Sequence, residues 1–211
     1  MSERALTLVL DFDGTISERD VLDAVLERFG DPDVYREVED ALEEGRLTLH
    51  EVIRREFDSV RVPLEEVVAW ALANVHFRAG FRELVADARR RRWRVVVVSS
   101  GFRELIEPLF ARERIEDVEV LANNVDADPR GWRVRFRDEE SCETCGQPCK
   151  RAALVALAAG RAVYVGDGYS DRCAAAAADR VFARDGLARY LRERGVAFEP
   201  FDDFYALAAS L

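Results

Sequence analysis

Two aspartates, Asp11 and Asp13, follow the apolar run Ala5–Leu10 and precede Gly14-Thr15. Two positions apart on an extended segment, their carboxylates leave on the same side. Like charges held that close raise each other's pKa unless a cation neutralises them. A second acidic group, Gly166-Asp167-Gly168-Tyr169-Ser170-Asp171, follows the run Ala162–Val165. A set of carboxylate oxygens suits Mg²⁺, which takes few protein ligands and keeps several waters. The plainer reading of the second group is a glycine turn with Asp171 as a helix N-cap, and Asp171 can serve both ends. A third group, Ser99-Ser100-Gly101, stands between the run Arg94–Val98 and a helical pattern from Phe102. A hydroxyl with free N–H groups at a helix start makes a phosphate cradle. Lys150, the only lysine among 31 basic residues, opens another helical pattern. There a flexible ammonium would neutralise phosphate as a point charge, where a planar guanidinium would not fit.

The elements that must position these groups read as alternating strands and helices. Five short apolar runs, Ala5–Leu10, Arg94–Val98, Val118–Leu121, Ala162–Val165 and Arg180–Ala183, have the continuous apolar character of strands buried on both faces. Helical spacing over Phe81–Arg91, Phe102–Arg112 and Lys150–Ala159 lies between them. This predicts an α/β fold with a Rossmann-like parallel sheet, whose ligands bind beyond the carboxyl ends of the strands. The stretch from Ile16 to Phe77 breaks the alternation with four helical patterns, Asp20–Phe29, Asp33–Glu44, Leu49–Ser59 and Leu64–Val75. It is too long for a simple crossover and predicts a small helical cap over residues 16–77, leaving 1–15 and 78–211 as the core domain. Asp128-Pro129-Arg130-Gly131 within Val125–Phe136 predicts a β-hairpin.

Taken in order, Asp-x-Asp-Gly-Thr after the first strand, Ser99 after the second, Lys150, and Gly-Asp-Gly-x-x-Asp after a later strand resemble the haloacid dehalogenase superfamily. The likeness spans nearly the whole chain, and the insertion after the first motif resembles the C1-type cap of the phosphoserine-phosphatase-like branch. The resemblance implies a phosphohydrolase in which Asp11 is the nucleophile, forming an aspartyl-phosphate, and Asp13 is the general acid and base. It implies Mg²⁺ held by Asp11, the Asp13 carbonyl and Asp167, with Asp171 ligating or supporting. Ser99 and Lys150 would hold the phosphoryl oxygens, with Phe12, Ser100 and Gly101 beside them. The departures concern the substrate. Asp20 stands nearest to the glutamate that reads an amino group in phosphoserine phosphatases, one methylene shorter, and Ser170 replaces the usual asparagine. The cysteine-rich lead-in Cys145-Gly146-Gln147-Pro148-Cys149-Lys150 resembles two sister groups. One comprises methionine-salvage phosphatases acting on 2-hydroxy-3-keto-5-methylthiopentenyl-1-phosphate, the other phosphocholine/phosphoethanolamine phosphatases. The candidate substrates are the methionine-salvage phosphate or phosphoserine; a phosphocholine/phosphoethanolamine phosphatase, a phosphotransferase or mutase, and a non-catalytic phosphate-binding protein are the alternatives. Arg54 and Arg55 in the cap would suit a substrate carboxylate, although arginines on a helix of so Arg-rich a chain also read as solvated surface.

Composition narrows the partners. The chain has 211 residues, is 49% hydrophobic and 34% charged, and carries a net charge of −10. That balance argues for a folded protein and against nucleic acid or an anionic membrane as partner. An anionic substrate must then be met locally. No secretory pattern is read, and the longest apolar stretch, Ala152–Gly168, is broken by Arg161 and Asp167. The expectation is a cytoplasmic monomer or homodimer acting on a small phosphorylated metabolite. Cys142, Cys145 and Cys149, with Cys173 as a fourth, have a spacing that could serve zinc. Reduced thiols packed along the approach to the site are the favoured reading. His76, at the junction of cap and core, reads as structural.

Overall fold

The computed structural model describes residues 6–158 and 160–211. β1 (Leu6–Leu10) leads into α1 (Val21–Phe29), α2 (Pro32–Glu43), α3 (Leu49–Asp58) and α4 (Leu64–Asn74). The chain then returns through α5 (Phe81–Arg91), β2 (Arg94–Phe102), α6 (Arg103–Arg112), β3 (Glu119–Asp126) and β4 (Arg133–Arg135). It finishes with α7 (Arg151–Leu157), β5 (Arg161–Gly166), α8 (Arg172–Ala175), β6 (Arg180–Ala183), α9 (Asp185–Glu193), β7 (Glu199–Pro200) and α10 (Phe204–Ser210). All five expected strands form. Ala5 and Ala159, the outer ends of two expected elements, lie outside the described residues. The sequence reading assigned nothing beyond Ala183, so α9, β7 and α10 are additions.

The seven strands lie in the order β4-β3-β2-β1-β5-β6-β7, parallel except for the β3–β4 hairpin. β1 is central because both faces of its run are apolar. Leu6, Leu8 and Leu10 pack into one core, and Val9 into the core on the opposite face. Val95 and Val97 against Val96 and Val98 repeat the division in β2, as Val163 and Val165 against Ala162 and Tyr164 do in β5. From β1 the chain adds strands first on one side and then on the other, so the switch point lies at the carboxyl end of β1.

Local signals delimit the inserted helices. Asp20 caps α1, Asp31 caps α2 ahead of Pro32, and Thr48 with Glu51 forms a capping box on α3. The insertion is tethered where it leaves and rejoins the core. Ser17 bridges Phe77, Glu18 N donates to His76 O (3.0 Å), and Arg78 N donates to Ile16 O (2.7 Å). Its far side is held by the hairpin: Trp132, 1% exposed, donates Nε1–H to Val62 O (2.8 Å), and Phe57 packs edge-on against Phe102. One expectation needs correction. β2 does not end at Val98 but continues to Phe102, with a shift of register between Val98 and Phe102. Ser99–Gly101 therefore form an irregular stretch of strand, and α6 begins only at Arg103.

Candidate active site

The carboxyl ends of β1, β2 and β5 bring Asp11, Asp13, Ser99, Lys150, Asp167 and Asp171 together. Lys150, 4% exposed, lies in the residue before α7, and its Nζ meets Asp11 Oδ1 at 2.6 Å and Asp171 Oδ1 at 2.7 Å. Burial alone would lower the Lys150 pKa, but Asp11 and Asp171 raise it well above its usual value, so it is an ammonium. Asp171, fully buried, spends its carboxylate entirely inside the protein. Oδ1 accepts from Lys150 and from Tyr164 Oη (2.7 Å), and Oδ2 from the N–H groups of Asp167 (2.9 Å) and Gly168 (3.0 Å). Burial pushes its carboxyl up, yet Lys150 and these donors hold it below the ordinary range. Its side chain does not cap α8, contrary to the N-cap reading; it braces the Gly166–Gly168 turn and orients Lys150.

Asp11 and Asp167 keep free oxygens. Asp11 Oδ1 accepts from Phe12 N (2.6 Å) and Lys150, and Asp167 Oδ1 from Thr15 Oγ1 (2.6 Å); Oδ2 of each accepts no hydrogen bond among the described residues. Burial, then Asp171, Asp167 and Asp13, push the Asp11 pKa far up against the pull of Lys150. Burial and Asp171 likewise raise Asp167 to about 7. Three buried carboxylates and the half-buried Asp167 against one ammonium leave a deficit of positive charge, and oxygens of Asp11, Asp167 and Asp171 lie within 4.8 Å of one another. Such a hard-oxygen set fits a divalent cation of the Mg²⁺ class. With Asp171 engaged on all sides, Asp11 and Asp167 are the carboxylates left to hold it.

The Asp13 side chain turns away from that pair. Oδ2 accepts from Ser99 Oγ (2.9 Å) and Oδ1 from Val21 N (3.3 Å), and burial raises its pKa. Ser99 Oγ in turn accepts from Gly101 N (2.7 Å). A side chain at Gly101 would press on Asp13 Oδ2, which explains the glycine. Gly14 takes a left-handed φ of 72°, and a Cβ there would overlap Asp167, so the turn after Asp13 needs glycine on both counts. Phe12 contributes only main chain, since its ring is buried against Phe77 and Phe110.

Three positioning or lining residues escaped the sequence reading. Arg78 donates to the carbonyls of Gly14 (2.7 Å), Thr15 (2.9 Å), Ser17 and Glu18 (both 3.3 Å), pinning the loop that carries Asp13. Asn123 donates to Ser100 O (2.7 Å) and so fixes the Ser99–Gly101 stretch. In a chain with this many arginines no local signal marks Arg78. The third residue is Glu56, 5% exposed, whose Oε1 has no partner. It lies across a cavity of about 180 Å³ from Asp11 and Asp13, between the core and the inserted helices. Burial, then Glu39 and Asp23, push its carboxyl up to about 8.

Asp20, Asp23, Glu39, Leu42, Val52 and Ile53 line the same cavity, and none of its described lining residues is Lys, Arg or His. Burial and the neighbouring Asp13 and Asp23 raise the Asp20 pKa far above normal. Arg54 is absent, which corrects the carboxylate-binding reading. Its guanidinium lies over the Phe136 ring and 3.9 Å from Glu139, on an outward face, and Arg55 is likewise exposed, 4.0 Å from Glu37. A larger cavity of about 370 Å³ lies beyond Ser100 and Tyr169, lined by Lys150, Arg137, Arg194 and three cysteines. The smaller one contains Asp11, Asp13 and Asp167, whereas Ser99 and Lys150 line the larger.

This arrangement of motifs has relatives. A family model of haloacid dehalogenase-like hydrolases matches residues 8–176. A protein of Geobacillus kaustophilus (strain HTA426), named 2-hydroxy-3-keto-5-methylthiopentenyl-1-phosphate phosphatase, is 32% identical over 99% of this chain and 96% of its own. Pdp3-interacting factor 1 of Schizosaccharomyces pombe (strain 972 / ATCC 24843) is 26% identical over 96% of this chain and 93% of its own. Among solved structures, a phospho-aspartyl intermediate analogue of phosphoserine phosphatase superposes with a TM-score of 0.76 at 20% identity, covering 99% of this chain and 100% of that one. The phosphoserine phosphatase structure shares the fold, and the extent of the family match decides the matter: the chain belongs to the haloacid dehalogenase-like hydrolases.

Proposed function

We propose that this phosphatase hydrolyses a small phosphomonoester whose far end carries no negative charge, with Mg²⁺ as cofactor and an aspartyl-phosphate on Asp11 as intermediate. The first candidate is 2-hydroxy-3-keto-5-methylthiopentenyl-1-phosphate, the compound in the name of the Geobacillus relative. The observation that carries the reading is the meeting of Asp11, Asp13 and Asp167 beneath a cavity without a cation. Residues 16–77 act as a cap hinged at the Ser17–Phe77 bridge, with 1–15 and 78–211 as the core domain. Free cysteine thiols suit a cytoplasmic setting.

In this scheme Asp11 Oδ2 attacks phosphorus as the ester P–O bond breaks, and protonated Asp13 donates its proton to the leaving oxygen. Water then attacks phosphorus while Asp13 takes back a proton, and the Asp11 carboxylate is released. Lys150, Ser99 and the Ser100 N–H would hold the phosphoryl oxygens, with the Phe12 and Gly101 N–H groups fixing Asp11 and Ser99 beside them. Asp11, Asp167 and the Asp13 carbonyl would hold Mg²⁺, which supplies the positive charge that lets a dianion approach this cluster.

The cap separates the substrates. Phosphoserine would bring a carboxylate among Asp20, Asp23, Glu39 and Glu56 with no cation to meet it. The apolar Leu42, Val52 and Ile53 suit a methylthio tail. A second reading follows from the same acids: a cationic far end, as in phosphoethanolamine or phosphocholine, would be welcome there. The test is phosphate release from all four compounds, with Mg²⁺ and with chelator. The expected result is Mg²⁺-dependent turnover with kcat/KM on phosphoserine at least ~10²-fold below the best substrate. A preference for phosphoserine, or turnover in chelator, would overturn the reading.

A further inference from the structure

We propose that Cys142, Cys145, Cys149 and Cys173 form a tetrahedral zinc site, separate from the carboxylate cluster, that holds the segment carrying Lys150. Three of the cysteines lie on the run from Phe136 to Lys150, which contains no helix or strand, and the fourth lies on α8. Their sulfurs all lie within 4.8 Å of one another. A tetrahedron with Zn–S bonds of about 2.3 Å has S···S edges of about 3.8 Å. The Cys142–Cys173 separation is 3.9 Å. Four mutually close sulfurs are what a tetrahedral metal needs, whereas a disulfide would explain one pair and leave two.

The local backbone is built for it. Thr144 N donates to Cys142 Sγ (3.4 Å), Gly146 N donates to Cys142 O (2.8 Å), and Gly146 takes a left-handed φ of 75°. This turn presents Cys142 and Cys145 to one side, at the two-residue spacing zinc ligands favour. Soft thiolates select zinc, while the hard oxygens of Asp11 and Asp167 select Mg²⁺, so the two sites would not compete for one metal. On binding, each thiol gives its proton to water as its Zn–S bond forms, and no electron moves. The negative charge that results has cationic neighbours. Arg151 donates to Cys173 O (3.3 Å), and Arg172 lies over Tyr169 and Tyr190 with its buried Nε unpartnered.

The position explains the use. Cys149 adjoins Lys150, and Cys173 follows Asp171 by two residues. The metal would therefore cross-link the two segments joined by the Lys150–Asp171 pair, at the one place where Lys150 lacks regular structure on its N-terminal side.

The test is metal analysis of the full chain purified without chelator and dialysed against Mg²⁺ buffer, followed by exchange of the bound metal for Co²⁺. One zinc per chain is expected, with the cobalt form showing thiolate-to-metal charge transfer and the intense visible bands of a tetrahedral site. Cys145→Ser, at the exposed ligand, should lose the zinc, and Asp167→Asn should keep it. Because the first measurements use the unaltered chain, a misfolded variant does not obscure the outcome. Metal-free protein whose four thiols react with a thiol reagent at one rate with or without added zinc would overturn the proposal. So would a Cys142–Cys173 disulfide in the native protein, or loss of zinc from Asp167→Asn with retention in Cys145→Ser.

Discussion

Three core carboxylates, Asp11, Asp13 and Asp167 with Asp171 buried behind them, and four cap carboxylates line one small cavity, and their surroundings differ. In the core, Asp11, Asp13, Asp167 and Asp171 are matched with Lys150, Ser99, Thr15, Tyr164 and main-chain N–H groups. In the cap, Asp20, Asp23, Glu39 and Glu56 have no basic residue among the described lining, and Glu56 Oε1 has no hydrogen-bond partner among the described residues. The first set is organised around charge, with one lysine fixed and room for a metal beside it. Burial raises the pKa of all four carboxyls of the second set, that of Glu56 to about 8, and no cation among the described lining residues balances them. A carboxylate at the roof of this cavity would meet no cation among the described lining residues, whereas Lys150 lies beside its floor.

Removing Asp11, the proposed nucleophile, should break the core set most severely. Asp11→Asn should lower kcat by at least ~10³-fold with the circular dichroism spectrum unchanged, as expected when one member of a concerted catalytic group is lost. Residual turnover near wild type would move the chemistry elsewhere. Lys150→Arg keeps the charge but must fit a planar guanidinium between two carboxylates at 2.6 and 2.7 Å, in a buried site. A loss of roughly 10²-fold in kcat is expected, on the scale of removing one transition-state donor.

The cap set is sharpened by pH. As pH rises from about 4.5 through about 8, the unfolded chain releases the Glu56 proton while the native state keeps it, so this residue costs stability across that window. Glu56→Gln should therefore melt at the wild-type temperature near pH 4.5. At pH 8 it should be more stable by at least ~1 kcal/mol, roughly 3 °C for a chain of this size. Equal shifts at both pH values would show that Glu56 ionises normally. Arg54→Ala should have the smallest effect, less than about twofold in kcat/KM, because the side chain lies on the outer face. A tenfold loss would bring Arg54 back toward the substrate.

Much of the core set is legible one residue at a time, because each member ends or follows a strand whose apolar run marks it. Asp11 and Asp13 follow β1, Ser99 lies in β2 and Asp167 follows β5. The cap set is not legible in that way. Helical spacing places Arg54 and Glu56 on α3 but not which face meets the cavity, and buried Phe57 and Trp132 decide that by anchoring α3 to the core. Arg78 was unreadable for a related reason. Its side chain reaches the carbonyls of Gly14, Thr15, Ser17 and Glu18 only once the chain has left and re-entered the core.

Sequence alone thus indicated the parallel sheet and the inserted helices, and put Asp11, Asp13 and Asp167 at strand ends, because continuous apolar runs, helical spacing and chain-local motifs encode them. Tertiary structure alone decided three further matters. It committed Asp171 to Lys150 and the Gly166–Gly168 turn, turned Arg54 outward and Glu56 inward, and gathered four sulfurs from two separate segments. Each of these depends on distances between residues far apart in the chain, and only packing of the elements sets those distances.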